Sequence, residues 1–156
     1  MIKLAKYTGI TLIVIALILG IAYPFRSDPI AVLAGKRLSG EELPYPGDWS
    51  FTNEFTTVAV ESRPDDPHSV TTICILHDGT LYIPAQSGST KNWPQYVVDD
   101  ARVRIKVGDK VYPARANRET GLSFADLATS AAAKYPRFDR PEDQPKDVWL
   151  FSISQR

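Results

Sequence analysis

The chain has 156 residues, 18 basic and 18 acidic, and 44% of it is hydrophobic. That length fits one folded domain, and the balanced charge lacks the basic excess of a nucleic-acid binder. Cys74 is the only cysteine, so no intrachain disulfide can form.

Tyr7 to Phe25 carries no charge, and Lys3 and Lys6 precede it. Its centre, Thr11 to Ile21, reads TLIVIALILGI. Nineteen helical residues rise about 28 Å, close to the ~30 Å hydrocarbon core of a bilayer. Residues 1–25 are therefore expected to be one transmembrane anchor. Its lysines should stay in the cytoplasm, because positive flanks resist translocation. The rest would lie on the periplasmic or extracellular side of the inner membrane. A cleaved secretory signal is the alternative, with Leu12 to Leu19 as its apolar region and cleavage after Ala22. Either way, the remainder of the chain faces the same compartment. Beyond the two lysines, 16 basic residues face 18 acidic ones, a formal charge of −2.

Residues 26–48 read as a tether. Asp28-Pro29 is a helix start, with Asp as N-cap and Pro at the first helical position. A short helix is expected over Pro29 to Ala34, ended by Gly35. Pro44, Pro46 and Gly47 then impose an extended or turning chain.

The domain proper is expected over residues 49–156. Phe55 to Ser62 is rich in β-branched residues and reads as a strand, as do His68 to Leu76 and Leu81 to Ala85. Asp78-Gly79 suits a type I′ turn between the last two. A short helix is expected over Trp93 to Asp99. Arg102 to Val107 alternates charged and apolar residues, placing Val103, Ile105 and Val107 on one face. Gly108-Asp109 turns the chain into Lys110 to Ala116. That register sets Ile105 against Tyr112, Val103 against Ala114, and Arg104 against Pro113 on the wet face. Replacing Arg104 by Asp should then be tolerated.

Ser123 and Asp126 can cap a further helix, whose Phe124, Leu127, Ala128, Ala131, Ala132 and Tyr135 share a stripe. Pro136 ends it, and Val148 to Ser154 is a closing strand. The expected fold is mainly β, of α+β type. It is a small split antiparallel β-barrel of about six strands with one or two packed helices, preceded by one transmembrane helix.

Few residues suggest chemistry. Cys74 lies in an apolar run with no cationic neighbour evident to activate it, which reads as burial. No Cys, His or Asp cluster has metal-ligand spacing. Catalytic residues are unassigned, because no nucleophile, P-loop or dinucleotide motif occurs. The turn Ser87-Gly88-Ser89-Thr90-Lys91 is the candidate site. Gly88 lets backbone approach an anion, and Ser87, Ser89 and Thr90 supply hydroxyls. Lys91 supplies charge beside a helix start, and Trp93 could cover a flat ring. The same residues also suit an ordinary polar turn capping the helix at Asn92.

The order of these elements resembles the split β-barrel superfamily. It holds pyridoxamine-phosphate-oxidase-like flavoproteins and deazaflavin-dependent nitroreductases. The resemblance runs from Thr56 to Ile153. It is most specific at Ala85 to Trp93 and at Asp99-Asp100-Ala101-Arg102-Val103-Arg104-Ile105. In such proteins the first stretch binds a cofactor phosphate, and the second reads Asp/Asn-Pro-Arg-Val, where this chain has Ala101 for the proline. Arg63-Pro64-Asp65-Asp66-Pro67 stands where members carry a basic Gly-Arg-Lys-Ser-Gly stretch. The resemblance implies FMN or a deazaflavin as cofactor, Thr71 and Thr72 beside its ring, and a homodimer.

The residues and the resemblance leave two functions open. One is a membrane-anchored flavin- or deazaflavin-binding reductase acting on a small molecule, whose cofactor carries the chemistry. The alternative is a cofactor-free split-barrel binding or scaffold module of the cell envelope. It draws on the expected location, since flavins are made in the cytoplasm and an unfolded chain cannot carry one across.

Overall fold

The computed structural model describes residues 2–22 and 27–156. Helix α1 spans Ile2–Ala22. The last three residues of the expected anchor, 23–25, fall outside the described part. Among the described residues, no helix is long and apolar enough to cross a membrane; the described side chains of α1 run only from Tyr7 to Gly20, with gaps.

The rest is built on one eight-stranded sheet, ordered β3-β2-β6-β7-β8-β5-β4, with the short β1 (Glu41–Glu42) parallel to β7. The strands are β2 (Val58–Ser62), β3 (His68–Thr72), β4 (Ile75–His77), β5 (Thr80–Gln86), β6 (Arg102–Val107), β7 (Lys110–Glu119) and β8 (Val148–Ser154). Helix α2 covers Asn92–Asp99 and α3 covers Ala128–Lys134.

The hairpins form where the turn residues demand them. Asp78 and Gly79 both take positive φ, as a type I′ turn requires. Across β6 and β7, Ile105 pairs with Tyr112, Val103 with Ala114 and Arg104 with Pro113, the expected register. Alternation then divides the core in two. Val103, Ile105, Leu81, Ile83 and Phe151 fill the inside of the curved sheet. Tyr82 and Leu150 point the other way, onto Leu127, Ala131 and Tyr135 around α3.

The expected six-stranded barrel needs correction. Among the described residues there are eight strands, and their hydrogen-bonded ladder does not close. Its two end strands, β3 and β4, are consecutive in the chain, with only Ile73 and Cys74 between them. The run His68 to Leu76, expected as one strand, breaks there and crosses from one end of the sheet to the other. Cys74 is fully buried, so its backbone groups need partners off the ladder. Tyr135 supplies them. Its hydroxyl accepts from the Cys74 N–H at 3.2 Å and reaches the carbonyl oxygens of Cys74 and Thr56, each at 3.0 Å.

Burial pushes that hydroxyl up to about 12, against about 10 for an unfolded tyrosine. Its contribution is full below pH 10 and is lost as pH rises towards about 12. Tyr135→Phe should therefore cost about 1–3 kcal/mol by leaving buried groups unpaired. Urea unfolding should show that gap constant below pH 10 and closing above it. A gap that stays open at pH 12 would mean that the hydroxyl is not its source.

Residues 27–48 do not hang free. Pro29 to Ala34 is not the expected helix: Ile30 and Leu33 bond each other as a tight turn, and Ala31 has a φ of 50°. A segment this short has too few turns to hold a helix alone. Asp28, expected as its N-cap, instead accepts from Ser39 and pairs with Lys106 at 2.7 Å. Burial works against its ionised form, but the bonds from Lys106 and Ser39 outweigh it and hold the carboxyl below the usual range. Gly35 bonds both ways with Ser69 on β3. A side chain at Gly35 would collide with the Pro29 nitrogen and the Ser27 oxygen at 2.5 Å.

This layer also corrects the expected wet face of β6. Leu38 is buried, and its N–H donates to Glu61 at 2.6 Å. Arg104 pairs with Glu61 at 2.7 Å and with Glu42 at 3.0 Å, and its side chain is 11% exposed. The register is as expected, but residues 38–42 cover that face.

Candidate functional site

The site lies at the seam where β3 parts from β5. Across it the Thr72 hydroxyl donates to the Pro84 carbonyl at 3.3 Å. Two clefts adjoin the seam. The first, about 410 Å³, runs between the loop Ala31 to Ala34 and a wall of Val70, Thr71 and Trp93. The second, about 210 Å³, is lined by Thr71, Thr72, Gln86 and Arg137, among others. Lys91, Thr71 and Trp93 border both.

The predicted residues therefore separate into two groups. Thr71, Thr72, Lys91 and Trp93 come together. Ser87, Gly88, Ser89 and Thr90 border neither cleft. Their polar groups are engaged locally. Ser89 donates to the Asp147 carboxylate at 3.1 Å, and Thr90 donates to the Ser87 carbonyl at 3.1 Å. The Ser87 N–H donates to the Asp147 carbonyl, and the Gln95 amide donates to the Gly88 carbonyl. Gly88 is needed for packing, since a Cβ there would lie 2.4 Å from Cγ of Trp149. The guanidinium of Arg118 stacks on Trp149 at 3.4 Å. This turn fixes where α2 begins: the Lys91 N–H donates to the Ser87 carbonyl, and Lys91 is the residue before the helix.

Trp93 is buried against Phe151, with ring centres 5.6 Å apart, so it is part of the core as well as of the clefts. Lys91 is exposed. Among the described residues, its side chain and that of Arg137 form no hydrogen bond or ion pair. Arg137 lies instead over the Phe138 ring at 4.6 Å. Two cations without hydrogen-bond or ion-pair partners among the described residues thus share one cleft with two threonines. Chemically this suits an anion with several oxygens, such as a phosphate.

Arg137 was not legible in the sequence. Its position follows Pro136, which ends α3, and only the packing of Phe138 in the second core aims that loop at β3. Lys134 carried no signal either. Its ammonium sits 3.1 Å from Cys74 Sγ and donates to the Thr52 carbonyl at 2.8 Å, so Cys74 does have a cationic neighbour. Among the described residues no three His, Cys, Asp or Glu side chains gather as a metal site.

No family model matches the chain, and no curated protein matches it. Solved structures do. Atu2129 of Agrobacterium tumefaciens, a protein of unknown function, superposes with a TM-score of 0.52 at 17% identity, over 65% of this chain and 49% of that one. This chain therefore spans about half of that protein's length. The heme storage protein HutZ of Vibrio cholerae superposes with a TM-score of 0.53 at 11% identity, over 68% of this chain and 85% of that one. A FAD-binding protein of Mesorhizobium loti gives 0.46 at 14% identity, over 67% and 84%. The first two likenesses support the split-barrel fold over about two thirds of the chain.

Proposed function

We propose that this chain is a membrane-anchored reductase-like protein that binds FMN or a deazaflavin at the β3–β5 seam. The observation that carries this reading is the pair Lys91 and Arg137, uncommitted and bordering one cleft with Thr71 and Thr72. The two cations would hold the cofactor phosphate. Thr71 and Thr72 would border its ring, and the ring would lie towards Trp93. When bound, such a cofactor supplies hydride transfer to a small-molecule substrate. The chain's own part is to hold the phosphate, orient the ring along β3 and screen it from water. The turn Ser87 to Thr90 contributes by fixing Lys91 at the start of α2. A homodimer belongs to the same reading.

The anchor rests on the charge-free stretch Tyr7 to Phe25 and on α1 itself. Leu12, Ile13, Val14, Ile15 and Leu17 point to different sides of that helix, and each is exposed. Among the described residues, this central stretch is apolar on several sides and those side chains are left exposed, which suits lipid. The N-terminus would be cytoplasmic and the domain periplasmic or extracellular, tested by carbonate extraction and a reporter fused after Arg156.

The cofactor is tested by titrating the full-length protein in detergent with FMN and with a deazaflavin. Lys91→Ala should remove a charge-assisted contact worth about 1.5–3 kcal/mol, weakening binding roughly ten- to a hundred-fold. Arg137→Ala should act in the same direction, and both variants should melt like the parent. No binding of either cofactor at high micromolar concentration would end this reading. It would leave the cofactor-free envelope module, which one observation favours: the hydroxyls of Ser89 and Thr90 are already engaged within the turn.

A further inference from the structure

We infer that the tip of the loop 27–36, from Ile30 to Leu33, inserts into the interface between lipid headgroups and acyl chains. This rests on the reading of α1 as an anchor. Three apolar side chains crowd the tip: Ile30 is 64% exposed, Val32 97% and Leu33 48%. Single exposed apolar residues are ordinary, but a cluster on one rigid tip marks a surface that meets something.

The tip is held in shape. Ile30 and Leu33 bond each other at 3.0 and 2.9 Å. The loop closes at its base, where the Lys36 N–H donates to the Ser27 carbonyl at 2.7 Å. The base is docked on the sheet through Gly35 on Ser69 and Asp28 on Lys106. The apolar side chains are therefore presented outward by a braced turn.

Chain length says what they meet. Five residue steps join Ala22, the end of α1, to Ser27 at the loop base, a reach of at most roughly 18 Å. If α1 spans the bilayer, the loop cannot be far from its surface. Charge agrees. Arg37 is exposed and, among the described residues, unpaired. Lys36 is 3.7 Å from Asp66, with both side chains more than half exposed, so that pairing is weak. Asp28, the acidic group nearest the tip in sequence, is neutralised by Lys106. An apolar tip with basic residues at its base matches a lipid surface that carries anionic headgroups. A second copy is a poorer fit, because three side chains offer far less than the roughly 1,200–2,000 Å² of a stable interface.

The test uses the full-length protein in vesicles of phosphatidylcholine and phosphatidylglycerol. Val32→Cys carries an environment-sensitive fluorophore, and Asp78→Cys in the β4–β5 turn is the control. Cys74 is fully buried and should not react. Lipids bearing a shallow nitroxide should quench the Val32 label several-fold more than the Asp78 label, with a blue-shifted emission. Equal quenching, with the protein still in the vesicles, would overturn the inserted tip and leave the anchor standing. A blue-shifted but unquenched label that depends on the protein-to-lipid ratio would overturn it in favour of a second copy. Protein that floats free of the vesicles would overturn the anchor and the tip together.

Discussion

Arg104→Ala should lower the stability of the protein by about 3–5 kcal/mol, the range seen when one partner of a buried ion pair is removed. The Glu61 side chain is only 2% exposed, and its carboxylate holds two bonds, from Arg104 at 2.7 Å and from the Leu38 N–H at 2.6 Å. Without the guanidinium, a charge is left in a place water barely reaches. Lys106, the other cation of β6 in this layer, is committed to Asp28. Arg104→Asp should be worse, because it sets a second carboxylate beside the first. Urea unfolding followed by tryptophan fluorescence measures both. The double variant Glu61→Leu with Arg104→Met should recover much of the loss, since apolar replacements remove both buried charges. A loss under 1 kcal/mol for Arg104→Ala would show that the pair is solvated and that residues 38–42 do not cover it.

Ile105→Asp should leave no folded protein. Ile105 has no exposed surface and sits mid-strand, opposite Val60 on β2 and Tyr112 on β7. The neighbours that fill this side of the sheet are apolar, so the carboxylate would have no partner. That penalty is comparable with the 5–15 kcal/mol total stability of a typical domain. Ile105→Val, which removes one methylene, should cost only about 0.5–1.5 kcal/mol. Circular dichroism and gel filtration of the pair make the comparison. A soluble, cooperatively melting Ile105→Asp would mean that the inner face of β6 is not a core.

Ile105 and Arg104 also show what can be read from sequence. Alternation over Arg102 to Val107 and the Gly108-Asp109 turn set the pairing correctly, because both act between near neighbours. The Asp78-Gly79 turn, α2 and β8 were legible for the same reason, and so was the mainly antiparallel sheet. Alternation says which residues share a face. It does not say what covers that face. Arg104 looked solvated because its cover, residues 38–42, is joined to β6 by no local pattern. The break at Ile73-Cys74 was hidden similarly. Its backbone groups are satisfied by Tyr135, sixty-one positions on. At the candidate site, Lys91 and Trp93 stood out beside a turn and a helix start, whereas Arg137 reaches the cleft only through the packing of Phe138.

The pairing of Gly35 with Ser69 has a consequence for how copies of this protein meet one another. Ser69 is the second residue of β3, and its backbone N–H and carbonyl face away from β2, on the open side of the sheet. Such a side is a template on which another polypeptide can add as a further strand. Under the membrane anchoring proposed above, confinement to two dimensions would raise the encounter rate between neighbours and with it the risk of that addition. Loop 27–36 occupies the template near its start, and a side chain larger than hydrogen at Gly35 would lift it off. Proteolytic removal of residues 27–36 would do more than shorten the chain. It would unmask a sticky rim and leave the protein prone to chain-to-chain polymerisation.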